Sequence, residues 1–350
     1  MAGRAVVRSA PAPTADEVTE ARVLGHAPLL AHLAAKLEEG SPPQSIVFAG
    51  PQGVGKRTCA IWYARLLLCT DRRSPDAPCD DCAGCRKVLG GTHPDVYEVR
   101  RREERTQIVA EQIDHVIRAA AFPPLEAEHR LFLFSEAHLL NETCMNMLLK
   151  TLEEPRPEQT FILIAPTTRA LLPTVLSRSQ VHRFGPVAQD VMADWLSARC
   201  SDAARAALAA SLSEGRPGFA LKLLRDEALW QLRSRILDAA ESLARADAGT
   251  ALTVGEQLGG LIDGDKRQAL DHILSFLGAW FRDVCWISHG LDDARLINLD
   301  RADALRRSAS RYAPERARSA MTAIDEARGH VQRNVNTTLL LGRLSLHLRP

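Results

Sequence analysis

The chain has 350 residues, of which 46% are hydrophobic and 25% charged, and its formal net charge is +1. That length and mix suggest an ordinary globular protein of two or three domains. A near-neutral balance excludes a chain that coats nucleic acid by bulk charge, although a local basic surface stays open, and no stretch is long and apolar enough to span a bilayer.

Residues 1–20 mix Arg4, Arg8, Pro11, Pro13, Asp16 and Glu17 without an apolar core, which reads as a disordered tail and not a signal peptide. A cytoplasmic location is the default expectation, and there the eight cysteines are better read as metal ligands or buried thiols than as disulfides. Over residues 21–39, Val23, Leu24, Leu29, Leu30, Leu33 and Leu37 recur on one face and predict a helix. Ser41-Pro42-Pro43 breaks it, and Ser45 to Ala49 is a short apolar run that leads into Gly50-Pro51-Gln52-Gly53-Val54-Gly55-Lys56-Arg57-Thr58. Helical spacing resumes over residues 58–68. Strand, glycine loop and helix are the context of the phosphate-loop pattern G-x-x-x-x-G-K-[ST], which Gly50, Gly53, Gly55 and Lys56 fit.

One position departs from that pattern. The residue after Lys56 should carry a hydroxyl for Mg²⁺; it is Arg57, and Thr58 comes one residue late. Arg57 sets a second cation beside Lys56, which repels Mg²⁺. The backbone N–H groups from Gly53 to Lys56 still make an anion nest at a helix N-terminus. The alternative is that the glycines persist because strand-to-helix packing needs a tight turn.

Cys69, Cys79, Cys82 and Cys85 follow as C-x₉-C-x₂-C-x₂-C. Four thiolates at this spacing can close a tetrahedral structural zinc site with no position left for water. The other cysteines, Cys59, Cys144, Cys200 and Cys285, sit in apolar helical settings and read as small core residues. Arg100, Arg101, Arg102 and Arg105 form a basic cluster tempered by Glu103 and Glu104, a solvated loop by default and a DNA-facing patch as the alternative.

Two further apolar runs, Arg130 to Phe134 and Thr160 to Ala165, lie between helical segments and predict buried parallel strands of an α/β core. From about residue 187 no strand-like run returns. Residues 187–226 read as a small helical unit broken at Gly215-Arg216-Pro217-Gly218, and residues 229–350 as all-helical. One helix there carries Leu270, Ile273, Leu274, Leu277, Phe281, Val284 and Cys285 on one face. Arg306, Arg307, Arg311, Arg316 and Arg318 lie on the C-terminal helices, where packing or solvent is the expected use.

A cysteine insertion just after the helix of a phosphate loop resembles the clamp-loader branch of the AAA+ ATPases. The flanking residues agree: His93-Pro94-Asp95, Ile108 with Glu111-Gln112-Ile113, Leu148-Leu149-Lys150-Thr151-Leu152-Glu153-Glu154-Pro155, and Ser177-Arg178-Ser179, similar to the family's Ser-Arg-Cys motif. The resemblance is strong over residues 21–226 and weaker beyond, where Asn334-Val335-Asn336 precedes a leucine-rich helix. It implies an AAA+ core at 21–186 with a zinc module at 69–85, a helical lid at 187–228 and a helical collar at 229–350.

The chain departs from the family's ATP-hydrolysing motor, gamma/tau, at more than Arg57. The strand-end Asp-Glu pair is Ser135-Glu136, the threonines of the third strand fall at Ala165 and Pro166 with Thr167 nearby, and the lid arginine falls near Gly218. The chain also ends at residue 350 without the long extension expected of tau. Ser135 cannot supply a carboxylate's charge to Mg²⁺, although Glu136 could orient a water. The combination is similar to the delta-prime subunits of bacterial DNA polymerase III clamp loaders. The resemblance implies a stator in a hetero-pentamer with gamma/tau and delta, acting on the β sliding clamp and primed DNA within the replisome. Any ATP held here with Mg²⁺ would go unhydrolysed, while Arg178 faces a neighbour's ATP site. A gamma/tau-like motor using Lys56 and Glu136, and a nucleic-acid-binding module built on the zinc site, are the rival readings.

Overall fold

The computed structural model describes residues 23–102, 104–292, 295–331 and 336–350. The expected N-terminal tail, Glu103, and Asn334 with Val335 lie outside them. The chain divides into two compact units: the first comprises residues up to Val191 together with Gly215–Gly218, the second Met192–Glu214 and Phe219–Pro350.

The first unit is built on five parallel strands in the order β2-β3-β4-β1-β5. In chain order its elements are α1 (Ala27–Glu38), β1 (Ser45–Ala49), α2 (Lys56–Leu67), α3 (Ala83–Leu89), β2 (Val96–Val99), α4 (Ala110–Ala120), β3 (Arg130–Phe134), α5 (Glu142–Glu153), β4 (Gln159–Ala165), α6 (Pro173–Leu176) and β5 (Gln180–Arg183). Every residue of β1, β3 and β4 is buried, as strands covered on both faces require. Alternation along the strands divides the core in two. Ile46, Phe48, Leu131, Leu133, Ile162 and Ile164 face one cluster with Leu33, Cys59, Tyr63 and Leu66 of α1 and α2. Val47, Ala49, Phe132, Phe134, Phe161 and Leu163 face the other, with Ile113, Val116, Cys144 and Leu148 of α4 and α5.

Two ends differ from the sequence reading. The first helix among the described residues begins at Ala27, because Gly25 and His26 take left-handed φ values of 71° and 58° that interrupt the helix expected over residues 21–39; residues 21 and 22 lie outside the described residues. The loop helix begins at Lys56 and not at 58, started by Gly55 at φ 100°. Parallel pairing puts the carboxyl ends of all five strands at one edge of the sheet, which is where open α/β sheets place their sites. The phosphate loop, Arg100, Ser135 and Thr167 all follow such ends.

The described residues of the second unit form helices and no strand, taking in α8 (Ala203–Leu212), α10 (Glu227–Leu243), α11 (Ala248–Gly259), α12 (Lys266–Ser288), α13 (Ala302–Ala309), α14 (Pro314–His330) and α15 (Thr337–His347). Two more helices, α7 (Gln189–Ser197) and α9 (Pro217–Arg225), each have residues in both units. On α12, Leu270, Ile273, Leu274, Leu277, Phe281 and Val284 are buried as their spacing predicts. Cys285 is only half-buried, and Cys200 lies in a loop beyond α7, so neither is the buried helical cysteine expected; Cys59 and Cys144 are fully buried. Helices α11 and α15 meet at Gly255, where a Cβ would come within 2.6 Å of the Gly342 Cα, so the crossing needs glycine. Inside the unit, Asp283 accepts hydrogen bonds from the Ile297 and Asn298 backbone and the Asn298 side chain, and Arg233 donates to Asn298 and Asp300 at 2.7–2.8 Å. No helix among the described residues is long and apolar enough to cross a membrane.

Candidate nucleotide site and candidate metal centre

The phosphate loop is shaped by positive φ at Gly50, Gly53 and Gly55 (159°, 84° and 100°), and the space for a Cβ at Gly50 is taken by the Phe184 carbonyl. The Gly50 N–H reaches the Ala165 carbonyl at 3.2 Å, tying the loop to the end of β4. Lys56 folds back on its own loop. Its ammonium donates to the Gly50 carbonyl and to that of Pro51 at 2.6 Å, and burial lowers its pKa to about 8. Thr58 is half-buried in the first turn of α2.

Arg57 is the decisive side chain. It does not lie alongside Lys56 toward the loop. It crosses to β2 and pairs two-pronged with Glu98, Nε to Oε1 and Nη2 to Oε2, both at 2.8 Å. Glu98 also accepts from Arg100 Nε at 2.7 Å and from the Ser135 hydroxyl. Burial pushes the Glu98 carboxyl up, but the hydrogen bonds and charge of Arg57 and then Arg100 outweigh it and hold the group at about 2. The two positions that should ligate magnesium, 57 and 135, are thus bound to one carboxylate. Glu136 accepts the Arg101 N–H at 3.1 Å.

Glu98 is the residue that sequence reasoning missed. Its signal was present: a carboxylate on a strand-like Val-Tyr-Glu-Val, followed by three arginines. Of those arginines, Arg100 holds Glu98, Arg101 reaches the Arg105 carbonyl at 2.9 Å, and Arg102 stands 3.5 Å from Glu111. Gln112 fixes the same segment by donating to the Arg100 carbonyl at 2.9 Å. Two backbone contacts complete the loop's surroundings. His26 Nε2 lies 3.2 Å from the Val54 carbonyl, and the Gly218 N–H donates to the Gly53 carbonyl at 2.9 Å. Where a lid arginine was expected, position 218 meets the loop through its backbone. A Cβ there would stand 3.3 Å from the Gly53 oxygen. The neighbouring Arg216 is buried.

Arg178 is exposed after α6. Its Nη2 pairs with Glu153 at 2.8 Å and its Nη1 donates to the Thr174 carbonyl at 2.9 Å. Glu153 belongs to the Leu-Glu-Glu-Pro run, so two of the motifs that carried the resemblance meet at this pair.

The sulfurs of Cys69, Cys79, Cys82 and Cys85 all lie within 4.8 Å of one another. A tetrahedral zinc with Zn–S bonds of about 2.3 Å separates its sulfurs by roughly 3.8 Å. The 4.0 Å separations of Cys79 from Cys85 and of Cys82 from Cys69 fit that size. Backbone N–H groups of Cys79, Cys82 and Cys85 point at the sulfurs of Cys69, Cys79 and Cys82, at 3.2–3.4 Å. Burial raises the Cys82 thiol, but the N–H groups of Cys85 and Thr70 prevail and bring it down to about 6. Burial raises the Cys69 and Cys85 thiols, so it is the closeness of the four sulfurs that makes the cluster able to hold a metal. The module is seated on α2: Arg65 pairs with Asp80, and Gly84 leaves room for the Leu68 carbonyl.

Two family models cover most of the chain. One, "DNA polymerase III, delta subunit", matches residues 25–188, and the other, for the C-terminal region of the same family, matches residues 227–349. The chain belongs to the DNA polymerase III clamp-loader family, and within it is delta-prime-like. It is 25% identical over 313 residues to the delta-prime subunit of Bacillus subtilis, spanning 89% of this chain and 93% of that protein. To the Escherichia coli delta-prime subunit it is 26% identical over 326 residues, 91% of this chain and 93% of that one. The tau subunit of Bacillus subtilis is 27% identical over 259 residues, 72% of this chain but 43% of tau. This clamp-loader chain is thus related to both delta-prime and gamma/tau subunits.

Proposed function

We propose that this clamp-loader protein is a stator that does not turn over ATP itself. The observation that carries the reading is the magnesium corner, where Arg57 and Ser135 both bind Glu98. Arg57 offers no oxygen, and Ser135 offers no charge and turns its hydroxyl proton to Glu98, so a metal bridging β- and γ-phosphates loses the hydroxyl and the carboxylate expected at these two positions. The chain would act in a hetero-pentamer with gamma/tau and delta subunits, helping to open the β sliding clamp and load it on primed DNA. Its AAA+ core (21–186) would carry structural zinc on Cys69, Cys79, Cys82 and Cys85. The segment 187–228 would serve as lid, and residues 229–350 as the collar that oligomerises.

Arg178 is assigned to a neighbouring motor's ATP site, in trans. Two facts support this: its side chain is exposed, and its ion pair with Glu153 is a surface pair. Such pairs contribute on the order of 1 kcal/mol or less, so exchange of Glu153 for a γ-phosphate costs little. In related NTPases an arginine supplied this way accelerates hydrolysis by about 10³–10⁵. The test is ATP hydrolysis by the purified chain alone. The expected rate equals that of Lys56→Ala; turnover that Lys56→Ala abolishes makes the chain a motor instead.

A further inference from the structure

Glu98 does more than fill a corner. Among the described residues, sheet pairing joins β2 only to β3, at the edge of the sheet. The Arg57–Glu98 pair reaches across from that edge strand to the first turn of the helix that follows β1, a separation of 41 residues. The Ser135 hydroxyl brings in the end of β3, and Arg100 the segment after β2. Three chain segments therefore converge on one carboxylate, with 30%, 24% and 23% of the Arg57, Glu98 and Arg100 side chains exposed. In a working phosphate-loop enzyme the loop helix and a strand end are joined through a bound metal, so the join exists only with nucleotide present.

We propose that Glu98 is a positioning residue that replaces this removable join with a permanent one, so that the loop corner keeps a single geometry whatever nucleotide or divalent cation is present. The inference rests on the stator reading and adds to it the side chain that holds the loop corner in one geometry. The Glu98 carboxyl, held at about 2, stays ionised at any working pH, so the tie does not loosen by protonation. Arginine suits the role because its planar fork meets a carboxylate at two points, which lysine cannot do.

Hydrogen exchange on the full chain tests this. In the wild type, exchange of residues 50–60, 96–102 and 133–137 should be the same in EDTA, in Mg²⁺ and in Mg²⁺ with ADP. In Glu98→Gln all three segments should exchange faster together, by roughly threefold or more, the scale of losing a partly exposed ion-pair network. Strand β4 and the cysteine module should keep wild-type rates. Glu98→Asp, which keeps the charge, should recover part of the protection, and it stands in if Glu98→Gln fails to fold. Protection of the wild-type corner by Mg²⁺ with ADP overturns the proposal, even in a chain that hydrolyses nothing. So does a Glu98→Gln effect confined to residues 96–102. ATP turnover with an unresponsive corner would instead contradict the stator reading alone.

Discussion

Lys56 is buried against its own loop, and that has a pH signature. A lysine ordinarily titrates near 10.5, whereas burial brings Lys56 to about 8. Between those values the unfolded chain binds more protons than the folded one, so stability rises with pH across this window and gains nothing from it below pH 8. Lys56→Met removes the group. Chemical denaturation at pH 7.5 and pH 10 should show wild type gaining on Lys56→Met by up to about 3 kcal/mol, and a flat difference would mean that the ammonium stays hydrated. A second residue-scale test concerns Asp95 of the His-Pro-Asp run. Its fully buried carboxylate takes the N–H groups of Leu125, Glu126 and Ala127 at 2.6–3.1 Å and the guanidinium of Arg130 at 3.0 Å. Burial opposes its ionisation, but the Glu126 and Leu125 N–H groups and Arg130 overcome that and lower its pKa. Asp95→Ala leaves Arg130, itself 2% exposed, without its counter-ion. Urea denaturation should find a loss of about 3–5 kcal/mol.

At the scale of elements, the cysteine module makes a direct prediction. Segment 69–82 contributes little to the core and would be organised by its metal. Elemental analysis of the purified chain should find one zinc per molecule, lost in Cys85→Ser. Without the metal, proteolysis should cut between Cys69 and Cys82 while the sheet survives, because structural zinc carries folding energy of about 10 kcal/mol or more that is local to its ligands. A chain free of metal but equally resistant would contradict this. The same scale explains what was legible beforehand. The phosphate loop and the cysteine quartet are local spacings, readable residue by residue, and the three central strands are continuous apolar runs. Strands β2 and β5 escaped notice because they are edges. Gln180-Val181-His182-Arg183 has one aliphatic residue, and it is a strand because Val181 pairs in register with Val47 of β1. The partnership of Arg57 with Glu98 was invisible for a related reason. The carboxylate before its arginines was a local signal, but its partner was not, because tertiary folding brings Arg57 to Glu98 from 41 residues away. Asn336, read as part of a family motif, has a plain local role: it caps α15 by accepting the Thr338 and Leu339 N–H groups at 3.0 and 3.2 Å.

For the whole molecule, the delta-prime-like family assignment joins an internally tied loop corner to an exposed arginine. The C-terminal arginines fit a packing role: Arg307 pairs with Glu241 at 3.0 Å and Arg316 reaches the Arg349 carbonyl at 2.8 Å. On the proposed stator reading, labour would divide between two ATP sites, this chain's own, tied off by Glu98, and a neighbour's, completed by Arg178. The most direct measurement is clamp loading and ATP turnover by a complex reconstituted with gamma/tau, delta and the β clamp on primed DNA, comparing wild type with Arg178→Ala. The account predicts that the complex still assembles while loading falls by about tenfold or more, consistent with the worth of a trans arginine. Unchanged loading and turnover in an intact Arg178→Ala complex would contradict it.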